Sequence, residues 1–296
     1  ALTTVPAGMV VPVGPGAEGV AVDPTTGVVA VGRTGGAVLF DETGRSLASV
    51  SLDSGPRHVA LVAPGGPFIV PEEGSRRIAL VDEPSGTVSA LIPTGRNPHD
   101  VAVVGDRIFI GNEGSNTVTV VHQGTVIATL PAVTQPGGLA AIGSAVAVVG
   151  VRSRRLELID AASLRSVASA PVEKGPSHVA AAVNRLYVVD TGGTQVRVFA
   201  TRPRLRQIAN VDVPRSPLGM AMDARQNRLW ITSTATNQLV ELAVAGNSMR
   251  IVGTFPTVRQ PNTVAVDQVD GTVFVIGERP GLMQIIKPPS NSSQPR

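Results

Sequence analysis

Residues 97–121 read NPHDVAVVGDRIFIGNEGSNTVTVV, from Asn97 to Val121. A turn leads into a short strand, Val101–Val104, and a tight Gly105-Asp106 turn folds it back on a second, Arg107–Gly111. A polar loop, Asn112–Asn116, precedes a third strand, Thr117–Val121. Short runs rich in β-branched residues and bounded by Gly, Asn and Asp are the mark of antiparallel hairpins. Three such strands alone leave both sheet faces uncovered. The unit needs neighbours.

The chain supplies them by repetition. Ala17, Pro56, Pro98, Pro136, Pro176, Pro217 and Pro261 recur about every forty residues. At a fixed offset each is followed by an apolar residue and then alanine: Val20-Ala21, Val59-Ala60, Val101-Ala102, Leu139-Ala140, Val179-Ala180, Met220-Ala221 and Val264-Ala265. A period of this length made only of short strands predicts an all-β, seven-bladed β-propeller with one four-stranded antiparallel sheet per repeat. The alanines fall where the first strands converge on the axis, and a larger side chain there costs about 1–3 kcal/mol through overpacking. On this reading Val118, on a third strand, lies farther out and tolerates leucine better. The last repeat holds only three strands, so Met9–Val13 is expected to complete its blade and close the ring. A single domain over 9–287 results, with an N-terminal arm at 1–8. The tail 288–296 lacks apolar periodicity and is expected to be disordered.

The segments RIFIGNEGSNTVTVV, RLYVVDTGGTQVRVF and RLWITSTATNQLVEL resemble the repeat of the YVTN (surface-layer, YncE-like) family of seven-bladed propellers. The resemblance spans about residues 8–287 and implies fold far more than function, because propellers carry unrelated activities. It also implies a bacterial, extracytoplasmic setting: secreted, periplasmic or surface-anchored. The start at Ala1 agrees with a removed signal or anchor segment.

Composition narrows the functional classes. With 43% hydrophobic residues, 32 Gly and 24 Pro, the chain is a strand-and-turn sequence with a sizeable core. No run approaches the roughly 20 apolar residues that span a bilayer as a helix. The absence of cysteine excludes disulfides and thiolate chemistry. Lysine occurs only at Lys174 and Lys287, and the net charge of +3 comes from a small arginine excess that makes a weak field. One Trp, one Tyr and six Phe are too few to interleave a basic track with stacking platforms, which weighs against nucleic acid. The chain is expected to be a monomer.

Chemistry is expected at one mouth of the central channel, where the loop before each first strand and the loop after each second strand open together. The recognition surface predicted there comprises Arg57, His58, His99, Asp100, Asn112, Glu113, His178 and Asp190, with Glu73 nearby. His122 belongs to the opposite face. The blades carrying His58 and His178 stand three apart, a separation that argues against a shared ion. Pro98-His99 with Glu113 also resembles a pair in propeller lyases similar to virginiamycin B lyase. That resemblance implies His99 as base and Glu113 as a magnesium ligand. Here, however, Asp100 stands where those lyases have glycine, and the flanking blades carry Arg57-His58 and Gly137-Gly138. The leading expectation is a non-enzymatic scaffold that binds a protein or small ligand at this mouth without a cofactor. The alternative is a metal-assisted lyase or hydrolase using a divalent cation at His99 and Glu113, and DNA binding ranks third.

Overall fold

The computed structural model describes residues 4–279 and 281–288. Seven four-stranded antiparallel sheets follow one another along the chain and form a seven-bladed propeller. In blade three the strands are Pro98–Val104, Arg107–Asn112, Thr117–His122 and Thr125–Pro131. The innermost strand thus begins at the anchor proline itself. Pro98 pairs with Asn112, and a bulge then shifts the register so that Asp100 faces Gly111. Proline is tolerated at this first position because its missing N–H leaves no bond of the ladder unmade.

Strand alternation builds the core. Ile108 and Ile110 pack against residues of blade two, whereas Phe109 between them packs against Leu139 and Val148 of blade four. Each blade therefore has two apolar faces, as the near-continuous burial of Arg107–Asn112 requires. The hydrophobic clusters all lie between consecutive blades: blade one against two, two against three, and on to seven against one. The repeated alanines do lie on the innermost strands, packed toward the next blade. Ala102 is 6% exposed and the other six are half-buried. Val118 is fully buried between blades three and four, so it is no roomier than the alanine positions, contrary to expectation.

Asparagine before the third strand explains a repeated letter of the motif. Asn116 and Asn237 adopt left-handed backbone conformations, with φ of 55° and 52°. Asparagine accepts that region more readily than most residues. Their side-chain Oδ1 atoms accept hydrogen bonds at 2.9 Å from the backbone N–H groups of Gln135 and Gln260. Those residues immediately precede the next blade's anchor proline. One side chain thus ends a turn and fixes where the following blade begins.

The ring closes as a two-ended blade. Met9–Pro12 pairs antiparallel with Leu282–Ile286, from Met9 opposite Ile285 to Pro12 opposite Leu282. Val13 is buried against Phe40, Phe274 and Met283. The arm just before this strand is also tied down, because Ala7 N–H donates to the Pro256 carbonyl and Gln284 Nε2 donates to the Ala7 carbonyl. Most of the tail, 289–296, lies outside the described residues. Deleting residues 1–13 should lower the melting temperature by at least about 5 °C. Val13 burial alone is worth about 2 kcal/mol, and each kcal/mol moves a chain of this size by about 2–4 °C. A truncated protein that melts with the intact one would show that the strand does not hold the ring.

Candidate functional site

In blades three to seven a bulge after the anchor proline takes one or two residues out of the ladder. In blade three the register skips from Pro98 to Asp100, and in blade five from Pro176 to Val179. His99 and His178 occupy those skipped positions. Bulges commonly re-aim side chains in this way. Glycine allows neighbouring first strands to crowd together here. A Cβ on Gly19 would lie 2.7 Å from the His58 backbone, and one on Gly138 would lie 2.8 Å from the His178 backbone.

The result corrects the sequence-based separation of the histidines. His178 Nε2 and His58 Nε2 are 3.0 Å apart, although their blades are not neighbours. The His58 ring lies 4.8 Å from both the His99 and the His178 rings, centroid to centroid. One donor nitrogen from each of the three histidines falls within 4.8 Å of the others. Side chains pointing inward from a narrow ring meet at its axis, whatever the distance between their blades along the rim.

Carboxylates surround this cluster. Glu73 Oε1 is 2.9 Å from His99 Nδ1 and 3.5 Å from Arg57 Nε. Glu113 Oε1 lies 3.9 Å from His99 Nε2 and 3.4 Å from Gln135 Nε2. Asp100 accepts the backbone N–H of Val101 at 2.8 Å and of Leu139 at 2.7 Å, which braces blade three against blade four. Its Oδ1 is 4.0 Å from His58 Nδ1. Burial dominates the electrostatics. It depresses His58 well below the usual imidazole range, with the His99 charge adding to the effect. Burial likewise brings His99 and His178 down to about 3 and pushes Asp100 up to about 6. Glu73 and Glu113 are raised for the same reason. The imidazoles are therefore neutral near pH 7, each with a lone pair to offer.

Two residues expected at the mouth belong elsewhere. Asn112 is fully buried, and its Nδ2 donates to Thr119 Oγ1 at 2.9 Å and Thr117 Oγ1 at 3.1 Å. Asp190 is also fully buried; it accepts Gly175 N–H at 2.8 Å, Gly193 N–H at 2.9 Å and Arg197 Nε at 2.8 Å. Both end a second strand that runs one residue farther than the sequence suggested, so they turn into the blade and anchor loops. Glu72 does the same in blade two, bonded to Arg77 and to the Asp53 N–H. One further residue at the mouth was not among the predicted recognition residues. Glu18 follows the Ala17 anchor, and burial pushes its carboxyl up to about 7 against the opposing pull of Arg57. Its place in the repeat was the only available signal.

His122 lies on the opposite face, 2.7 Å from Asp106 Oδ2. A larger cavity, about 500 Å³, opens between blades four and five on that face, but its lining includes Asn184 and Arg202 rather than a cluster of acids or histidines. A smaller cavity of about 170 Å³, lined by His58, Asp100 and His178 among others, occupies the channel.

No family model matches the chain, and no curated protein matches it. Solved structures do share its fold. Hydrazine synthase of Kuenenia stuttgartiensis aligns with a TM-score of 0.78 at 15% identity, covering 94% of this chain and 97% of that one. A chain of a mitotic checkpoint complex aligns with a TM-score of 0.83 at 14% identity, covering 96% and 92%. A streptogramin B lyase aligns with a TM-score of 0.75 at 15% identity, covering 91% and 92%. At such identities the likeness establishes the propeller and nothing about activity.

Two outcomes test this geometry. Replacing Asp190 by Ala should cost about 3–5 kcal/mol in denaturant unfolding, because it strands the buried Arg197 guanidinium. Glu18→Gln addresses the raised carboxyl. A carboxyl lifted from 4.5 to about 7 contributes stability below pH 4.5 that is lost as pH rises through 7. The variant should therefore melt higher than the parent at pH 8 and alike at pH 4. A difference confined to acid pH would contradict the assignment.

Proposed function

We propose that this chain is a non-enzymatic, extracytoplasmic scaffold of the YVTN (surface-layer, YncE-like) kind that binds a small ligand at the histidine-bearing mouth of its channel. The observation that carries the reading is the meeting of His58, His99 and His178, from three blades, with Glu73 and Glu113 beside His99 and Glu18 interacting electrostatically with Arg57 and Glu73. Packing alone gives no reason to gather so many ionisable groups where burial opposes their charged forms. Strongly perturbed groups that converge in one concavity are a usual mark of a binding site. Acids outweigh Arg57 at this spot, so the mouth favours cationic ligands, or neutral ones that donate hydrogen bonds. The extracytoplasmic placement rests on the family resemblance alone.

The test is a thermal-shift screen against inorganic cations, polyamines, amino acids and sugars, repeated on variants. Ligands that raise the melting temperature of the parent should lose their effect in Glu73→Gln and His178→Ala and keep it in His122→Ala. Shifts that ignore the mouth substitutions would remove the proposal.

A second reading draws on the 3.9 Å approach of His99 Nε2 to Glu113 Oε1, a spacing that one ion or one water can bridge. A cleft of about 320 Å³ lined by Glu113, Gln135 and Arg152 adjoins it. Under this reading the chain is a metal-assisted lyase, with His99 taking a proton and Glu113 holding a divalent cation. Incubation with a streptogramin B antibiotic and Mg²⁺ decides it: ring opening that both His99→Ala and Glu113→Gln abolish supports the lyase, and an unchanged antibiotic rejects it.

A further inference from the structure

We propose that His58, His99 and His178 form a mononuclear site for a divalent first-row transition ion, of the Zn²⁺ or Cu²⁺ type. The inference rests on the mouth being the ligand site and names the ligand class.

Distance is the first argument. Nitrogen ligands about 2.0–2.1 Å from one ion, at angles between square and tetrahedral, stand about 2.9–3.4 Å apart. The Nε2 atoms of His58 and His178 are already 3.0 Å apart, and one nitrogen from each of the three histidines lies within 4.8 Å of the others. Closing the set requires the His99 donor to move inward toward the other two nitrogens.

Second, the outer partners prepare the donors. Glu73 accepts from His99 Nδ1, which fixes the tautomer that leaves the Nε2 lone pair free. A carboxylate behind a ligating imidazole is the recurrent arrangement of metal sites. Asp100 lies on the Nδ1 side of His58 but at 4.0 Å from that atom, beyond hydrogen-bond reach. Without an ion, His58 and His178 share one proton between their Nε2 atoms. Ion binding moves that proton to the Nδ1 of the same ring, so each imidazole stays neutral with one N–H and offers a lone pair. On His58 the relocated N–H faces Asp100.

Third, the alternative of a simple polar plug leaves bonds unmade. His178 Nδ1 is buried and has at most a loose approach to the Leu218 backbone. His58 Nδ1 lies too far from Asp100 for a hydrogen bond.

The donor set chooses the metal. Imidazole nitrogen suits Zn, Cu, Ni and Fe, whereas Mg²⁺ and Ca²⁺ take oxygen ligands. Three protein ligands leave a coordination position of a tetrahedral ion open. The cavity of about 170 Å³, lined by Val20, Leu139 and Met220 among others, has room for a water or a small exogenous ligand on that position.

The experiment titrates chelator-stripped, folded protein with Zn²⁺ by calorimetry and with Co²⁺ by visible absorption. One equivalent should bind, Co²⁺ should develop ligand-field bands, and Zn²⁺ should raise the melting temperature. His58→Ala and His178→Ala should each weaken uptake about 100-fold or more. Glu73→Gln, a positioning substitution, should weaken it about 10–100-fold. His58→Gln keeps side-chain bulk if the alanine variant fails to fold, and circular dichroism checks every variant. No uptake by stripped folded protein would overturn the site, as would uptake that survives the His58/His178 double variant or depends on His122. If organic ligands still reach the mouth while Zn²⁺ does not, only the metal assignment fails. If neither binds there, the reading of the mouth itself falls.

Discussion

Every blade here is a small sheet with two apolar faces, and no blade can cover both alone. That requirement governs the architecture. Phe109 needs blade four and Ile110 needs blade two, so each sheet is stable only between two others. An open stack would leave a bare face at each end, the recurring liability of repeat proteins. Circular closure removes it, and the chain's first strand, paired with its last, performs the closure.

The same geometry creates the site. Sheets that radiate from an axis bring their innermost strands together, and the space there shrinks until alanine and glycine are what fits. Whatever points inward from the start of each first strand must then meet its counterparts. Histidines from blades two, three and five touch because a ring has a centre, with the bulges at Pro98 and Pro176 turning two of them inward. Low dielectric and mutual proximity keep the three imidazoles neutral, and neutral imidazole is the form that can act as a donor.

A division of labour follows around the mouth. Residues just after the anchors, Glu18, His58, His99 and His178, face the channel. Residues that end the second strands, Glu72, Asn112 and Asp190, face inward into the blades and hold loops. Sequence places both groups near one opening. Only the first has side chains free for a ligand. Confusing the two would send mutagenesis to positions whose loss is one of stability.

The local code determined a great deal. Strand-length runs between turn residues, the seven alanines in register and the missing fourth strand of the last repeat specified blade number, strand order and ring closure. These are properties of short segments and of their spacing, and period-two alternation translates directly into which face is buried. His99, Glu73 and Glu113 could also be placed near one mouth, because the start of a first strand and the loop after a second strand open on the same face. The contact of His58 with His178 could not. It depends on the channel's width and on how far the bulge at Pro176 re-aims His178, quantities set by all seven blades packed together. Asn112 and Asp190 were misplaced for a related reason: a strand that runs one residue longer turns a side chain from the rim into the stack, and only the completed tertiary pairing decides where a strand stops.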